Sequence, residues 1–268
     1  MLNWRLTVVL LLAVSVLAIA QAPPAAFTYV FPIFIDGAAN GMVYKSTVSL
    51  LPISTAPASM QCTVTQRQTS TAFLGLQGDD YFPITQYGGN ALQTQAPVLL
   101  SGRLQWEILS SSGQAPQKSG YLTASCPQDF HTDLHISLFD STGKKIDESS
   151  LVPAVKGTSF EFLLDMRTGV RLGLSLVNDT AVDGQPYKLI ARNQLNEIVS
   201  GPQFIYLHNY SQESIFADEA IQLPPNFVGS IEVIGVSSGN NYAVGLQFTG
   251  NVFSVVTPTV RNAPISGN

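Results

Sequence analysis

The phrase KSTVSLL at Lys45–Leu51 returns as VRLGLSLV at Val170–Val177, and no other feature limits so tightly what this chain can fold into. In the second occurrence Leu172, Leu174 and Leu176 alternate with small or polar residues, the period of two that marks a strand with one buried face. Asn178-Asp179-Thr180 turns the chain afterwards, as Pro52 ends the first occurrence. At a constant offset, VSLLPISTAPASMQCTVTQRQ lies over LSLVNDTAVDGQPYKLIARNQ without a gap. Gly120–Ser125 lies over Gly229–Ile234 at a shorter offset, which places an insertion inside the first copy. The chain therefore reads as one β-rich unit used twice. The inward phase of Met60–Thr65 differs by one from that of Tyr187–Ala191, so one copy holds a slip or a bulge.

Ahead of the repeat, Arg5 precedes the apolar run Leu6–Leu17, and Ala18-Ile19-Ala20 supplies small-x-small residues. That is the plan of a secretory signal peptide over 1–20, and the run is short for a span of roughly 20 residues. No later stretch is apolar enough to span, so no membrane span is expected after cleavage. Charged residues make up 12% and the net charge is −5; a nucleic-acid partner would need a basic stripe instead. Few charges with many Ser, Thr, Gln, Gly and Pro suit an exported β-protein rich in short turns.

Strands are expected at Tyr29–Ile35, with Pro32 at an edge or bulge, at Val43–Leu51, Met60–Gln68, Val98–Leu109, Gly120–Cys126, Leu134–Phe139 and Lys145–Val152, and Ser159–Leu164 is expected to bridge to the second copy. Asp36–Gly41 is expected as a loop and Asp140–Gly143 as a hairpin turn. The second copy follows with Val170–Val177, Tyr187–Ala191, Ile198–Val199, Val228–Ile234, Tyr242–Phe248 and Val252–Val256, and Ser214–Ile221 allows one helical turn. Helix is otherwise expected to be scarce. The domains are expected over 27–165, with the insertion at about 71–95, and over 166–260, followed by a polar tail at 261–268.

Four pieces carry a resemblance: FPIFIDG at Phe31–Gly37, RTGVRLGLSLVN at Arg167–Asn178, SIFADEAIQLPPNFVGSIEV at Ser214–Val233 and AVGLQFTGNVFSVVTP at Ala243–Pro258. They resemble a largely uncharacterised family of secreted bacterial proteins built from tandem immunoglobulin-like β-sandwich repeats. The resemblance implies an all-β fold of two such sandwich domains after the signal peptide. It brings no activity, cofactor or site residue.

Two cysteines, Cys62 and Cys126, stand in the first copy. Cys62 shares a strand face with Met60 and Val64, and Cys126 with Leu122 and Ala124, so both thiols are expected in the core and, after export, in a disulfide. The second copy holds none and is expected to stand without it.

Chemistry-bearing residues are few. His131, Asp133 and His135 lie at i, i+2, i+4, one face of a strand, where a metal would find imidazole and carboxylate. The polar side of a half-buried strand explains the same spacing without a metal, and that reading is preferred. There is no Gly-x-Ser-x-Gly elbow, although a Ser/His/Asp triad need not be local in sequence. Asp79-Asp80 reads as a solvated turn, Asp36–Gly41 lacks the ligand alternation of a calcium loop, and Ser141-Thr142-Gly143-Lys144 reads as a hairpin. Phe73, Tyr81, Phe82 and Tyr87 in the insertion are candidate ligand-contact aromatics, or pins for a long loop. Asn178-Asp179-Thr180 and Asn209-Tyr210-Ser211 match the glycosylation sequon. The expected function is that of an exported, secreted or cell-surface protein, non-catalytic and without cofactor, whose partner is a protein or a glycan. A carbohydrate-binding module and a secreted hydrolase are the alternatives. A Ser/His pair within hydrogen-bond reach would favour the hydrolase, and a flat exposed aromatic row the sugar binder.

Overall fold

The computed structural model describes residues 27–39, 41–52, 63–68, 98–100, 103–107, 118–126, 129–236, 240–250 and 252–261. The expected signal peptide at 1–20 lies outside them, as do 71–95 of the insertion and 262–268 of the tail. The N-terminal half contains β1 (Phe27–Ala39), β2 (Met42–Pro52), β3 (Thr63–Gln68), β4 (Val98–Leu100), β5 (Arg103–Glu107), β6 (Lys118–Cys126), β7 (Phe130–Phe139) and β8 (Lys145–Leu151). The C-terminal half contains β9 (Ser159–Asp165), β10 (Arg171–Asn178), β11 (Gln185–Asn193), β12 (Ile198–Leu207), β13 (Ser211–Phe216), β14 (Val228–Gly235), β15 (Asn241–Thr249), β16 (Val252–Val256) and β17 (Thr259–Arg261). The helical turn is α1 (Ala217–Ala220). The protein is all-β, as the alternation predicts.

The repeat is visible in the strand pairing. In the N-terminal half β6 pairs with β1 and β3, while β2 pairs with β5 and β7, and β7 with β8. In the C-terminal half β14 pairs with β9 and β11, while β10 pairs with β13 and β15, and β15 with β16. The two sets correspond one for one, and all are antiparallel. Beyond them, β1 also pairs with β2, which ties the first half into one eight-stranded sheet and has no counterpart in the second; β4 extends the first half, and β12 and β17 flank the second. The one-residue slip is also placed. Val64 stands opposite Ala124 where Leu189 stands opposite Val233, so the strand register runs one residue out of step with the gapless sequence overlay.

Several expectations shift in detail. β1 reaches Ala39, so most of Asp36–Gly41 is strand, with Gly37 at φ 99° and Gly41 at φ 74°. The ladder between β1 and β6 shifts between Phe31 and Phe34, because Pro32 brings no N–H to it. Val98–Leu109 is a hairpin, not one strand, with Leu100 opposite Arg103. β9 pairs with β14 and β17, and so belongs to the sheet β12-β11-β14-β9-β17 of the second half. Gly201-Pro202, a pair that reads as a strand stop, is absorbed by a register shift, and β12 runs on to Leu207.

The largest departure concerns β10. Its Leu172, Leu174 and Leu176 face a core built with Phe160, Phe162, Tyr187, Leu189, Ile231 and Val233. That is the buried face the alternation predicts. The other face is buried too, so that every residue from Leu172 to Asn178 is inaccessible. The neighbouring β15 shows why: its Val244, Leu246 and Phe248, with Phe216 and Phe253, belong to the same core as Phe31, Ile33, Phe34, Leu134 and Ile136 of the N-terminal half. The sheet β13-β10-β15-β16 is thus a shared middle layer. At the seam Ser175 Oγ donates to the Pro32 carbonyl at 2.6 Å and accepts a hydrogen bond from Gln212 Nε2. Tyr121 OH donates to Asp179 at 2.9 Å, from one half to the other.

Candidate functional site

The outer face of β7 gathers the polar residues singled out in the sequence. Phe130, Thr132, Leu134, Ile136 and Leu138 are buried, while His131, Asp133 and His135 share the opposite face and keep access to solvent. His135 Nε2 lies 3.2 Å from Asp133 Oδ1, and Ser150 Oγ lies 2.9 Å from His135 Nδ1. A Ser–His–Asp line therefore exists, completed by a serine on β8 that the sequence could not place. Thr47 on β2 and Ser150 on β8 flank His135 in the sheet, which makes the line a set of lateral neighbours on one sheet surface. Such cross-strand contacts stabilise a sheet by themselves. Acyl transfer also needs donors aimed at a developing oxyanion, whereas strand N–H groups here point along the ladders. As for a metal, no group of three or more His, Cys, Asp or Glu able to hold an ion occurs among the described residues. One turn further, Glu148 accepts from Ser137 Oγ at 2.7 Å and pairs with Lys145. These contacts, Lys145 first, hold its carboxyl below the usual range.

Beside this face lies a pocket of about 360 Å³. It forms because β8 stops pairing at Leu134 opposite Leu151, after which Val152 and Pro153 turn away and leave the edge of β7 open over Phe130–Asp133. Tyr29 closes one end. Its hydroxyl donates to Asp129 at 2.7 Å and accepts from the Phe130 N–H at 2.6 Å. Burial, then the bond to Asp129, pushes the phenol up to about 12. Ser49 and Thr132 both line the pocket, but on opposite faces of the sheet, Ser49 with Asp133 and Thr132 with Leu50, and both hydroxyls are buried without a hydrogen-bond partner. An unsatisfied buried polar group costs about 1–3 kcal/mol.

A second surface lies on the C-terminal half. Phe204 and Tyr206 stand two residues apart on β12, 42% and 67% exposed, with ring centroids 6.4 Å apart and planes 26° from parallel. Leu195, Ile198 and Val199 are exposed along the same stretch of chain. Large apolar side chains grouped at a surface mark interaction sites more often than scattered ones do. The strand expected at Ile198–Val199 runs on to Leu207 and so carries the pair. The alternation of Phe204 and Tyr206 around Ile205 was the available signal, hidden behind Gly201-Pro202.

Phe73, Tyr81, Phe82 and Tyr87 lie outside the described residues, and so does Cys62. Cys126 is 1% exposed and shares its face with Leu122 and Ala124. The β3–β6 ladder ends with Thr63 opposite Ser125, one residue short of both cysteines. Of the two sequons, Asn178 is wholly buried and donates to the Val182 and His208 carbonyls, each at 2.8 Å. Thr180 Oγ1 donates in turn to its Oδ1. That sequon is turn architecture. No helix of the described residues is long and apolar enough to cross a membrane.

No protein family matches the chain, and no curated protein does. Among solved structures, a chain titled BspA_C_mut is 13% identical over 88% of this chain and 92% of its own, with a TM-score of 0.17, a likeness too slight to bear on fold or function.

Proposed function

We propose that this is an exported, non-catalytic surface or extracellular protein that works by presenting a binding face, its partner a protein or a glycan. The leader-like residues 1–20 and the resemblance to secreted tandem-sandwich proteins support export, and a Cys62–Cys126 bridge belongs to the same reading. The observation that carries the binding role is the aromatic pair Phe204 and Tyr206, near-parallel and open to solvent on an outermost strand. Exposed ring faces cost a soluble protein solubility and contribute affinity once covered. Rings so placed also suit sugar stacking, which makes a carbohydrate-binding module the form of this reading to test first. The test is a glycan and protein array probed with the mature chain and with the double variant Phe204→Ala/Tyr206→Ala. Both side chains are exposed, so the variant should melt within a degree or two of the parent. Loss of the array signal is expected; an unchanged signal sinks the assignment.

The hydrolase reading keeps one specific observation in its favour, the Ser150–His135–Asp133 line. Turnover of activated esters by the mature chain, abolished by Ser150→Ala, would replace the binding role with catalysis. Background turnover, equal in both proteins, is the expected result.

A further inference from the structure

We propose that the outer face around Phe204 and Tyr206 takes a saccharide that carries a carboxylate, and that Lys188 recognises that carboxylate. The proposal rests on the binding role argued above and names the class of its ligand.

Strand register sets the neighbourhood. Tyr187 and Leu189 belong to the core, so Pro186, Lys188 and Ile190 of β11 share the opposite face. Across the ladder to β12, Phe204 stands opposite Lys188 and Tyr206 opposite Pro186. Across the ladder to β14, Ile234 stands opposite Lys188. Val236, 46% exposed, lies beside this patch, its N–H donating to the Pro186 carbonyl at 3.1 Å. Lys188 is therefore a cation set among apolar and aromatic neighbours. Directly opposite side chains have Cβ atoms about 4.5–5.5 Å apart, so one ligand can reach both the Phe204 ring and the ammonium.

The fold does not neutralise that charge. Among the described residues no ion pair or hydrogen bond ties the Lys188 ammonium. The carboxylate diagonal to it, Glu232 opposite Ile190, is held by Arg192 at 3.4 Å and by the Ser159 hydroxyl at 3.2 Å. A lysine stem covers apolar surface and carries its ammonium to the solvent side, which leaves the charge to a ligand. The rings select what bears the opposite charge. A pyranose lays its C–H face on an aromatic ring, while its carboxylate accepts from the ammonium N–H groups. A single lysine suits one carboxylate per bound unit. A polyanionic surface, whether nucleic acid or anionic membrane, calls for a basic cluster instead, and the net charge of −5 opposes it.

The experiment is calorimetry of the mature chain with short oligomers of galacturonate, glucuronate and mannuronate and with sialyllactose. Each is measured beside its methyl ester, which keeps the shape and removes the charge. At least one acid should bind about tenfold or more tighter than its ester, and the difference should shrink as salt is raised. Lys188→Gln should bring the acid down to the affinity of the ester and melt within a degree or two of the parent. Phe204→Ala/Tyr206→Ala should remove the binding of both. Four outcomes would overturn the proposal: no acid binds, acid and ester bind alike, Lys188→Gln keeps the preference, or vesicles of phosphatidylglycerol bind through these residues where the sugars do not. If neutral glycans bind through Phe204 and Tyr206 and Lys188→Gln changes nothing, the proposed function stands and the carboxylate assignment falls.

Discussion

The same phrase meets two fates in this molecule. β2 and β10 are each the inner strand of their sheet, and their ladders match residue for residue. Lys45, Thr47 and Ser49 pair with Ser137, His135 and Asp133 on β7; Arg171, Gly173 and Ser175 pair with Phe248, Leu246 and Val244 on β15. One face of each pair packs inward alike, with Val48 and Leu134 buried in the first half and Leu174 in the second. On the other face polar residues of β7 stand where β15 carries Val244, Leu246 and Phe248. That substitution decides the architecture. The apolar face of β15 must leave water, and it does so against the N-terminal half. Gly173 and Ser175 are small enough to let the neighbouring backbone approach, and Ser175 bonds to Pro32 there. The β7 face meets no such demand. Asp133 and His135 are the solvent-facing counterparts of a buried seam, which accounts for their spacing without a metal.

The cysteines supply the largest expected effect within this comparison. Directly opposite residues of an antiparallel pair lie about 4.5–5.5 Å apart at Cα, inside the range a disulfide spans. The described ladder ends with Thr63 opposite Ser125, and the proposed bridge joins the residues next in sequence, Cys62 and Cys126. The corresponding pair in the second half is Tyr187 opposite Gly235, where the ring, wholly buried, donates its hydroxyl to the Val177 carbonyl at 2.6 Å. An aromatic plug thus stands in the second copy where the first is proposed to carry a covalent clamp. Mass spectrometry of the unreduced protein should show one internal crosslink, and reduction should lower stability by about 4 kcal/mol in the chain-entropy model. Hydrogen exchange after reduction should loosen β1–β8 and also β13, β15 and β16, which share that core. Two alkylatable thiols in the native protein would remove the bridge altogether.

The matched positions Leu246 and His135 come next. Leu246 is wholly buried at the seam, so Leu246→Ala should cost about 2–5 kcal/mol, measured by urea unfolding, and both halves should unfold in one transition. His135→Ala, at the equivalent ladder position in solvent, should shift stability by no more than about 0.5 kcal/mol. A separate, unperturbed transition for either half in Leu246→Ala would break the shared-layer account.

The smallest expected difference is between the matched serines. Ser175→Ala removes the bond to Pro32 and one of the two acceptors of the Gln212 amide, which keeps Ser214, a loss of about 1–3 kcal/mol. Ser49→Ala removes a hydroxyl without a partner and should be neutral or slightly stabilising. Equal losses at both positions would mean that Ser49 is satisfied in solution.

By itself the sequence determined the strand content, the twofold use of one unit and the inward faces of Gly120–Cys126, Leu134–Phe139 and Val170–Val177, because side-chain alternation is local and follows from backbone geometry. It also showed His131, Asp133 and His135 on one face, and Asp140–Gly143 as a turn, where the Asp140 carboxylate accepts from the Thr142 and Lys144 N–H groups at 2.9 and 3.0 Å. What it could not determine was what lies over a second face. A strand such as β10, with small residues between its leucines, reads alike whether water or another sheet covers them. Only the tertiary packing decided that Val244, Leu246 and Phe248 meet the N-terminal half and that Ser150 completes a line with His135. Each of these joins residues distant in sequence through contacts made across strands and sheets, and such contacts depend on packing that no local pattern encodes.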